Sequence, residues 1–247
     1  MADPVNVVCM KWGTAYGADY VNRLQSMVAR HLQRPHRFVC FTDDPTGIVP
    51  DVETTPLPPI AVAPEYAMLP WRKIGLFNRE LADLTGPALF LDLDLVVTGD
   101  LDPFFDFEPG RFCIIHNWTE PWRRIGNSSV YRFEVGKDAH VLDRFHSRPH
   151  QHWIDTYRNS QTFLSNSVRD MAFWPASWCV SFKRHCLPLG PLAWIKPARL
   201  PADARVVVFH GRPNPSDVLA GRWPDPRPWR QPFKRLRPPA WLAEHWR

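Results

Sequence analysis

Asp92 and Asp94 stand two residues apart in Ala88-Leu-Phe-Leu-Asp-Leu-Asp-Leu-Val-Val97, one of the most apolar stretches of this 247-residue chain. Side chains of a strand alternate between its faces, so the two carboxylates point one way while Leu91, Leu93 and Leu95 point the other. Like charges that close, among apolar neighbours, either raise a carboxyl pKa strongly or recruit a cation, because a buried unpaired carboxylate is costly. A divalent metal ion resolves the conflict. A second reading makes the pair a structural strand end, capping a turn or pairing with Arg72 or Lys73.

The elements that must carry this pair follow from hydrophobic periodicity. Val5–Met10 reads as a buried strand, Gly13 to Gly17 as turn residues, and Val21, Leu24, Val28 and Leu32 as one stripe of an amphipathic helix. Phe38–Phe41 is a second buried strand that leaves the sheet at Thr42-Asp43-Asp44-Pro45. Ile74, Phe77, Leu81 and Leu84 predict a helix over about 71–84, stopped by Gly86-Pro87. The strand Ala88–Leu93 follows. Further on, Phe112–His116 and Val130–Phe133 read as strands, Ala139–His146 and Gln161–Asp170 as helices, and Arg205–His210 as a last apolar strand. Strands alternating with helices predict an α/β fold with a mostly parallel sheet flanked by helices. Such sheets bind ligands at the carboxyl ends of their strands, where Asp92 and Asp94 fall.

Composition narrows the options. A hydrophobic fraction of 45% and a charged fraction of 22% suit one large globular domain and argue against disorder. The prolines cluster at 56–70, 187–201 and 213–239, marking loops or wrapping segments. Neither Gly-x-Gly-x-x-Gly nor a P-loop occurs, which argues against a dinucleotide enzyme or a P-loop NTPase. No signal peptide or membrane span is predicted, and five cysteines without a Cys-x-x-Cys pair suit reduced thiols, so a cytoplasmic setting is expected. Residues 222–247 carry seven basic against two acidic side chains and four of the twelve tryptophans. This tail either contacts an anionic membrane peripherally, at its inner face, or wraps the domain and buries Trp241 and Trp246. His146, His150 and His152 read as a solvated loop around Pro149 rather than a metal site.

Phe90-Leu-Asp-Leu-Asp-Leu-Val followed by Gly99-Asp-Leu-Asp-Pro-Phe-Phe resembles the Asp-x-Asp region of glycogenin-type retaining glycosyltransferases, often called family eight, in a bacterial-type variant. Val8-Cys-Met-Lys-Trp-Gly-Thr-Ala-Tyr16 is similar to the family's first strand and nucleotide loop, and Trp71-Arg-Lys73 to the segment ahead of the Asp-x-Asp strand. Asn127-Ser-Ser-Val130 resembles its sugar-pocket motif. Ser160-Gln161 stands where the family has Asp-Gln, and Val207-Val-Phe-His-Gly-Arg-Pro-Asn-Pro215 resembles its late His/Gly/Lys-Pro segment. These landmarks run in the family's order over roughly residues 5–215.

The resemblance implies a single GT-A domain, the nucleotide-diphospho-sugar transferase fold, over 1–221, followed by a basic Pro/Trp-rich extension over 222–247. It implies a hexosyltransferase that takes its sugar from a nucleotide donor, a UDP-sugar, and delivers it with retention to a glycan, lipid or protein acceptor. No nucleic-acid partner is expected. Asp94 would coordinate Mn²⁺ (or Mg²⁺) and Asp92 the ion or the ribose, with His210 as a further ligand. Asp92, Asp94 and Gln161 would serve the chemistry. Lys73, Gly211 and Arg212 would meet phosphate or sugar oxygens, Asn127 and Gln161 sugar hydroxyls, and Tyr16 the nucleoside, with backbone groups near Val8 and Met10 reading the base edge.

Three departures accompany the resemblance. The family's histidine falls at Val208, two residues before His210 and about 7 Å along a strand. Ser160 replaces an aspartate, and Asn214 replaces a lysine for which Arg212 could substitute. Two rival readings stand beside this one. A sugar-phosphate nucleotidyltransferase would show a Gly-rich triphosphate loop, which Lys11-Trp-Gly13-Thr lacks. A basic binding module would use residues 222–247 to hold membrane or nucleic acid.

Overall fold

Ten strands form among the residues that the computed structural model describes, 4–188, 192, 196–225, 227 and 236–247. They are β1 (Val5–Lys11), β2 (His36–Thr42), β3 (Glu53–Pro56), β4 (Pro87–Leu91), β5 (Leu95–Val97), β6 (Phe112–His116), β7 (Gly126–Glu134), β8 (Met171–Phe173), β9 (Cys179–Ser181) and β10 (Val206–Val208). The chain divides into two compact units. The first comprises residues up to Asn22, Arg34–Leu93 and Asp102–Trp174; the second comprises Arg23–Gln33, Asp94–Leu101 and residues from Pro175 onward.

The first unit is built on a seven-stranded sheet of order β3-β2-β1-β4-β7-β6-β8. β3, β2, β1 and β4 run parallel, β7 is antiparallel to both β4 and β6, and β8 is parallel to β6. Every residue of β1 is buried, as expected of a central parallel strand covered on both faces. Cys9 and Cys40 lie opposite one another in the β1–β2 register, both as buried thiols. The chain fills one side of β1 with β2 and β3 and the other with β4, so the strand order reverses between β1 and β4. In sheets of this kind the crevice at that reversal is where ligands bind.

Two expected helices differ from what forms. Residues 71–84 were expected to be one helix; instead a 3₁₀ helix spans Pro70–Phe77 and ends at Asn78, whose backbone is extended. The Asn78 amide donates to the carbonyls of Gly75 and Pro59, which stabilises the exit. Ile74, Phe77, Leu81 and Leu84 are nonetheless all buried, so the apolar spacing reported burial correctly and the element wrongly. The helix expected over 161–170 is the shorter Ser160–Ser165, started by the Asn159 side chain accepting from Thr162 N. The His146 region is helical rather than a loop: Pro149 precedes the helix His150–Tyr157, and His150 is buried edge-on to Trp71, while His146 and His152 are exposed as expected.

The second unit holds a three-stranded sheet, with β10 antiparallel to β5 and parallel to β9. The proline-rich stretch 213–239 contains a helix, Pro215–Leu219, because proline suits the first helical turn and Asn214 with Asp217 forms a capping box. The end of the chain forms the helix Ala240–His245. It is held by the second half of the helix Ala18–His31. Arg23 donates to Trp246 O at 2.8 Å with its guanidinium 4.3 Å from the Trp246 ring, and Arg30 donates to His245 O and Arg247 O. Trp241 Nε1 donates to Ala198 O. The wrapping reading therefore describes 236–247, while Trp229, Arg230, Lys234 and Arg235 lie outside the described residues. No helix among the described residues is long and apolar enough to cross a membrane.

Two measurements test this docking. Trp246→Ala removes a buried indole and its cation contact, so equilibrium unfolding is expected to lose on the order of 3 kcal/mol. The His31 and His245 rings lie 5.9 Å apart, and burial holds both imidazoles below their usual pKa, aided by the His245 charge at His31 and by the Arg30 and Arg247 charges at His245. The unfolded chain then binds more protons than the folded one below about pH 6.5, so stability falls as pH drops through that value. His245→Gln should flatten the fall measured between pH 7 and pH 5; an unchanged slope would rule the pair out as its source.

Candidate functional site

β4 ends one residue before the carboxylate it delivers. Asp92 lies just past Leu91, Leu93 and Asp94 form a turn, and β5 begins at Leu95. The expected strand through Leu93 is therefore replaced by a turn, so a shared strand face does not relate the two acids. The burial alternation survives: Leu91, Leu93 and Leu95 are buried while Asp92 and Asp94 are half-buried. Asp92 N donates to Ser129 O at 2.9 Å, which fixes the residue against β7.

A cation at Asp92 is supplied by the chain itself. Lys73 Nζ sits 2.5 Å from Asp92 Oδ1. The same ammonium donates to Ser128 O at 3.3 Å and lies 5.0 Å from the centre of the Phe90 ring. Lys73 is buried because the 3₁₀ helix Pro70–Phe77 turns it, with Trp71, Ile74 and Phe77, toward the core. The ammonium expected at a donor oxygen is thus directed at Asp92, in keeping with the ion-pair reading of the sequence.

The carbonyls that receive this pair belong to a bulge. The β6–β7 register passes from Ile114↔Tyr131 to Ile115↔Asn127, so Ser128–Val130 are extra on β7. Bulges of this kind re-aim backbone groups beside sites. Asn127 is buried, and its Oδ1 accepts from Ser129 N at 3.1 Å. The helix carrying Gln161 is tied to the same strand through Ser165, whose Oγ accepts from Gly126 N and donates to Gln161 O. Beneath them the Tyr131 ring stacks on Phe90, and burial, then the Asp92 charge, pushes its phenol well above the usual range.

At the carboxyl end of β1 the expected nucleoside residues separate. Val8 is registered against both Val39 and Phe90 in the middle of the sheet, whereas Met10 pairs with Phe41 alone, beyond the end of the β4 ladder. Both side chains are buried, so only backbone at this edge faces outward chemistry. Tyr16 packs on Tyr20 with ring centroids 4.9 Å apart. Sequence reasoning missed two ties here. Lys11 is buried and donates to Asp44 O at 2.9 Å, and Gly13 N donates to Asp43 Oδ2 at 3.0 Å. The Asp-Asp-Pro run at the end of β2 was the available signal. A cavity of about 380 Å³ opens beside Asp43, lined by Thr42, Pro45 and residues 54–57.

In the second unit, Phe209 N donates to Asp94 O at 3.3 Å. β10 stops at Val208, so His210 is not on a strand as expected, and the register comparison with Val208 lapses. Val208 is fully buried, paired with both Leu95 and Ser181. His210 Nε2 lies 2.7 Å from Ser181 Oγ. Burial, then the charges of Lys183, Arg184 and His185, pushes this imidazole down to about 4. Gly211 follows at φ +67°, a conformation that favours glycine. Arg212 directs one amine to Asp217 at 3.0 Å, and Asn214 is buried as the helix cap.

Among the described residues, no group of three or more His, Cys, Asp and Glu side chains is arranged to hold a metal ion. The donor chemistry of the two carboxylates still suits a hard divalent ion, since Mg²⁺ is usually held by one or two carboxylates with water and substrate phosphates.

No protein-family model and no curated protein matches the sequence. Solved structures do match the fold. The galactosyltransferase LgtC, in complex with donor and acceptor sugar analogues, aligns with a TM-score of 0.58 at 15% identity, over 85% of this chain and 88% of that one. The glycosyltransferase GlyE of Streptococcus pneumoniae aligns at 0.56 and 13% identity, over 87% of this chain and 56% of that one. The bifunctional glycosyltransferase WbbM aligns at 0.56 and 13% identity, over 87% and 47%. The chain has the GT-A fold, as expected from its sequence.

The Lys73–Asp92 pair is open to a double-mutant cycle. Lys73→Met leaves a largely buried carboxylate without its cation and should cost about 2 kcal/mol, less than a fully buried pair because Asp92 keeps some solvent contact. Adding Asp92→Asn should recover more than half of that loss in urea unfolding. Strictly additive effects would mean that the two groups do not act as a pair.

Proposed function

We propose that this chain is a glycosyltransferase that moves a hexose from a nucleotide sugar, a UDP-hexose, to a glycan, lipid or protein acceptor with retention. The reading rests above all on Asp92, which directly follows β4 at the reversal of strand order between β1 and β4, on a GT-A fold. Fold alone does not specify chemistry, so the residues carry the rest of the case. The five buried thiols support a reducing, cytoplasmic setting.

The carboxylates of Asp92 and Asp94 would hold Mn²⁺ or Mg²⁺, with phosphate oxygens and water filling the remaining positions, so no third protein ligand is required. When bound, the ion would neutralise charge on the departing diphosphate. Lys73 is a positioning residue here: it fixes the Asp92 carboxylate and cancels its charge. Backbone at Met10 and the ring of Tyr16 would receive the nucleoside, and the cavity beside Asp43 gives that edge room. The Asn127 and Gln161 amides, which both donate and accept, would orient the sugar hydroxyls. The Gly211 turn would approach the phosphates, with Arg212 beside it in its pair with Asp217. In the transfer itself the sugar–phosphate bond breaks as the acceptor oxygen attacks the anomeric carbon from the same face. The acceptor proton passes to the leaving phosphate oxygen.

Calorimetry with UDP, with and without Mn²⁺, tests the reading without knowledge of the acceptor. Metal-dependent UDP binding is expected, along with slow hydrolysis of a UDP-hexose. Asp94→Asn should lower that hydrolysis by at least about 100-fold while leaving the thermal unfolding midpoint near wild type. UDP binding that is absent, or indifferent to both Mn²⁺ and Asp94→Asn, would defeat the proposal.

A further inference from the structure

β9 and β10 run parallel, so the segments that leave their carboxyl ends emerge at one edge of the small sheet. After β9 the chain makes a π-helical turn, Phe182–Cys186, that carries Lys183, Arg184 and His185. Such turns are rare and gather at functional sites. After β10 it reaches His210 and the left-handed Gly211. Three contacts join the two segments. Ser181 Oγ meets His210 Nε2, Phe182 stacks on Phe209 with centroids 4.5 Å apart, and Lys183 Nζ donates to Arg212 O at 3.2 Å. The ammonium lies 3.7 Å from where a β-carbon on Gly211 would stand.

The cations that the sequence offers at this turn have other duties. Asn214 occupies the position at which the resemblance has a lysine, and it is buried as a helix cap that cannot be exchanged for a long cationic side chain without loss of the cap. Arg212 pairs with Asp217. The ammonium pinned over the Gly211 turn comes from Lys183, on a different element altogether. We propose that Lys183 binds the diphosphate of the nucleotide sugar at the Gly211 turn, and so does the work of the cation absent at Asn214. The assignment rests on the function proposed above and adds a residue to it. Its electrostatic setting agrees. The edge carries Lys183 and Arg184 on one segment and Arg212 on the other, while His210 is a hydrogen-bonding partner of Ser181. A diphosphate, with two or more negative charges and several acceptor oxygens, matches an ammonium beside a glycine backbone.

Titration calorimetry of the full chain with UDP, uridine and inorganic pyrophosphate tests the assignment. Lys183→Met should weaken UDP and pyrophosphate at least about tenfold and leave uridine unchanged, as expected for loss of one charge-assisted contact. Lys183→Arg should restore most of the affinity, and Lys196→Met, which removes an equal charge elsewhere, should stay within about twofold. Lys183→Gln, compared by circular dichroism with wild type, serves if the methionine variant fails to fold. UDP binding that is tight and equal in wild type and the Lys183 variants overturns the inference and leaves the proposed function standing. If wild type binds no UDP, the proposed function falls; pyrophosphate binding that still depends on Lys183 then supports an anion site there, and pyrophosphate that is unbound or indifferent to Lys183 overturns it.

Discussion

The ion pair of Lys73 with Asp92 is the constraint on which the organisation of the large sheet's carboxyl edge depends. A carboxylate at the end of a buried strand, beside Phe90 and the buried Tyr131, is tolerated only with a partner. The chain provides one from a segment that must bend sharply to deliver it. An α-helix over 71–84 would set side chains on a different spiral from the tighter 3₁₀ turn that brings Lys73 to Asp92. The β7 bulge answers the same need, because Ser128 O accepts from the lysine and Ser129 O from Asp92 N. Three local irregularities, a 3₁₀ helix, a bulge and a strand that stops early, thus satisfy one buried charge.

That solution has a consequence for chemistry. Asp92 is anchored at both its backbone and one carboxylate oxygen, so its second oxygen is held in a fixed direction. A ligand on that oxygen meets a group that loses little conformational freedom on binding, which is the condition for a precise site. Asp94, two residues on, belongs to the second unit, and its carbonyl accepts from Phe209 N. The Asp-x-Asp spacing is therefore one of the places where the chain passes from one unit to the other. Two residues are enough to give each unit its own acid.

Parts of this were legible in the sequence for physical reasons that can be named. The stripe Val21, Leu24 and Val28 lies on a real helix, with Leu32 buried just past its end, because a single-faced 3.6 period over three turns has no competing explanation. β1, β2, β4 and β6 were legible as runs of apolar and β-branched residues. β3, β5, β8 and β9 were not, being three or four residues long and too short for any period to register. The 71–84 pattern misled because burial and helicity share an apolar spacing, and Pro70 and Asn78 decided between them. Lys73 is legible both as a partner of the acids and as a contact for a donor oxygen, since nothing in the spacing separates a phosphate from a carboxylate nineteen residues away. His210 was found as a residue and misplaced as a strand position, because β10 ends two residues sooner than its apolar run suggests.

Several contacts that sequence could not supply join residues far apart in the chain through backbone atoms. Lys73 reaches Ser128 O, Lys183 reaches Arg212 O, and Lys11 reaches Asp44 O. A backbone carbonyl carries no sequence signature, so a lysine held by one is indistinguishable in the sequence from a lysine in solvent. Yet the carbonyl contact changes what the ammonium can do. It fixes a flexible four-carbon stem whose freedom would otherwise be lost on meeting an anion. Lysines held this way near glycine turns and strand ends are therefore better prepared to bind phosphate or carboxylate than their exposed counterparts. In this chain Lys73, buried beside Asp92, and Lys183, at the Gly211 turn, are both held in this way.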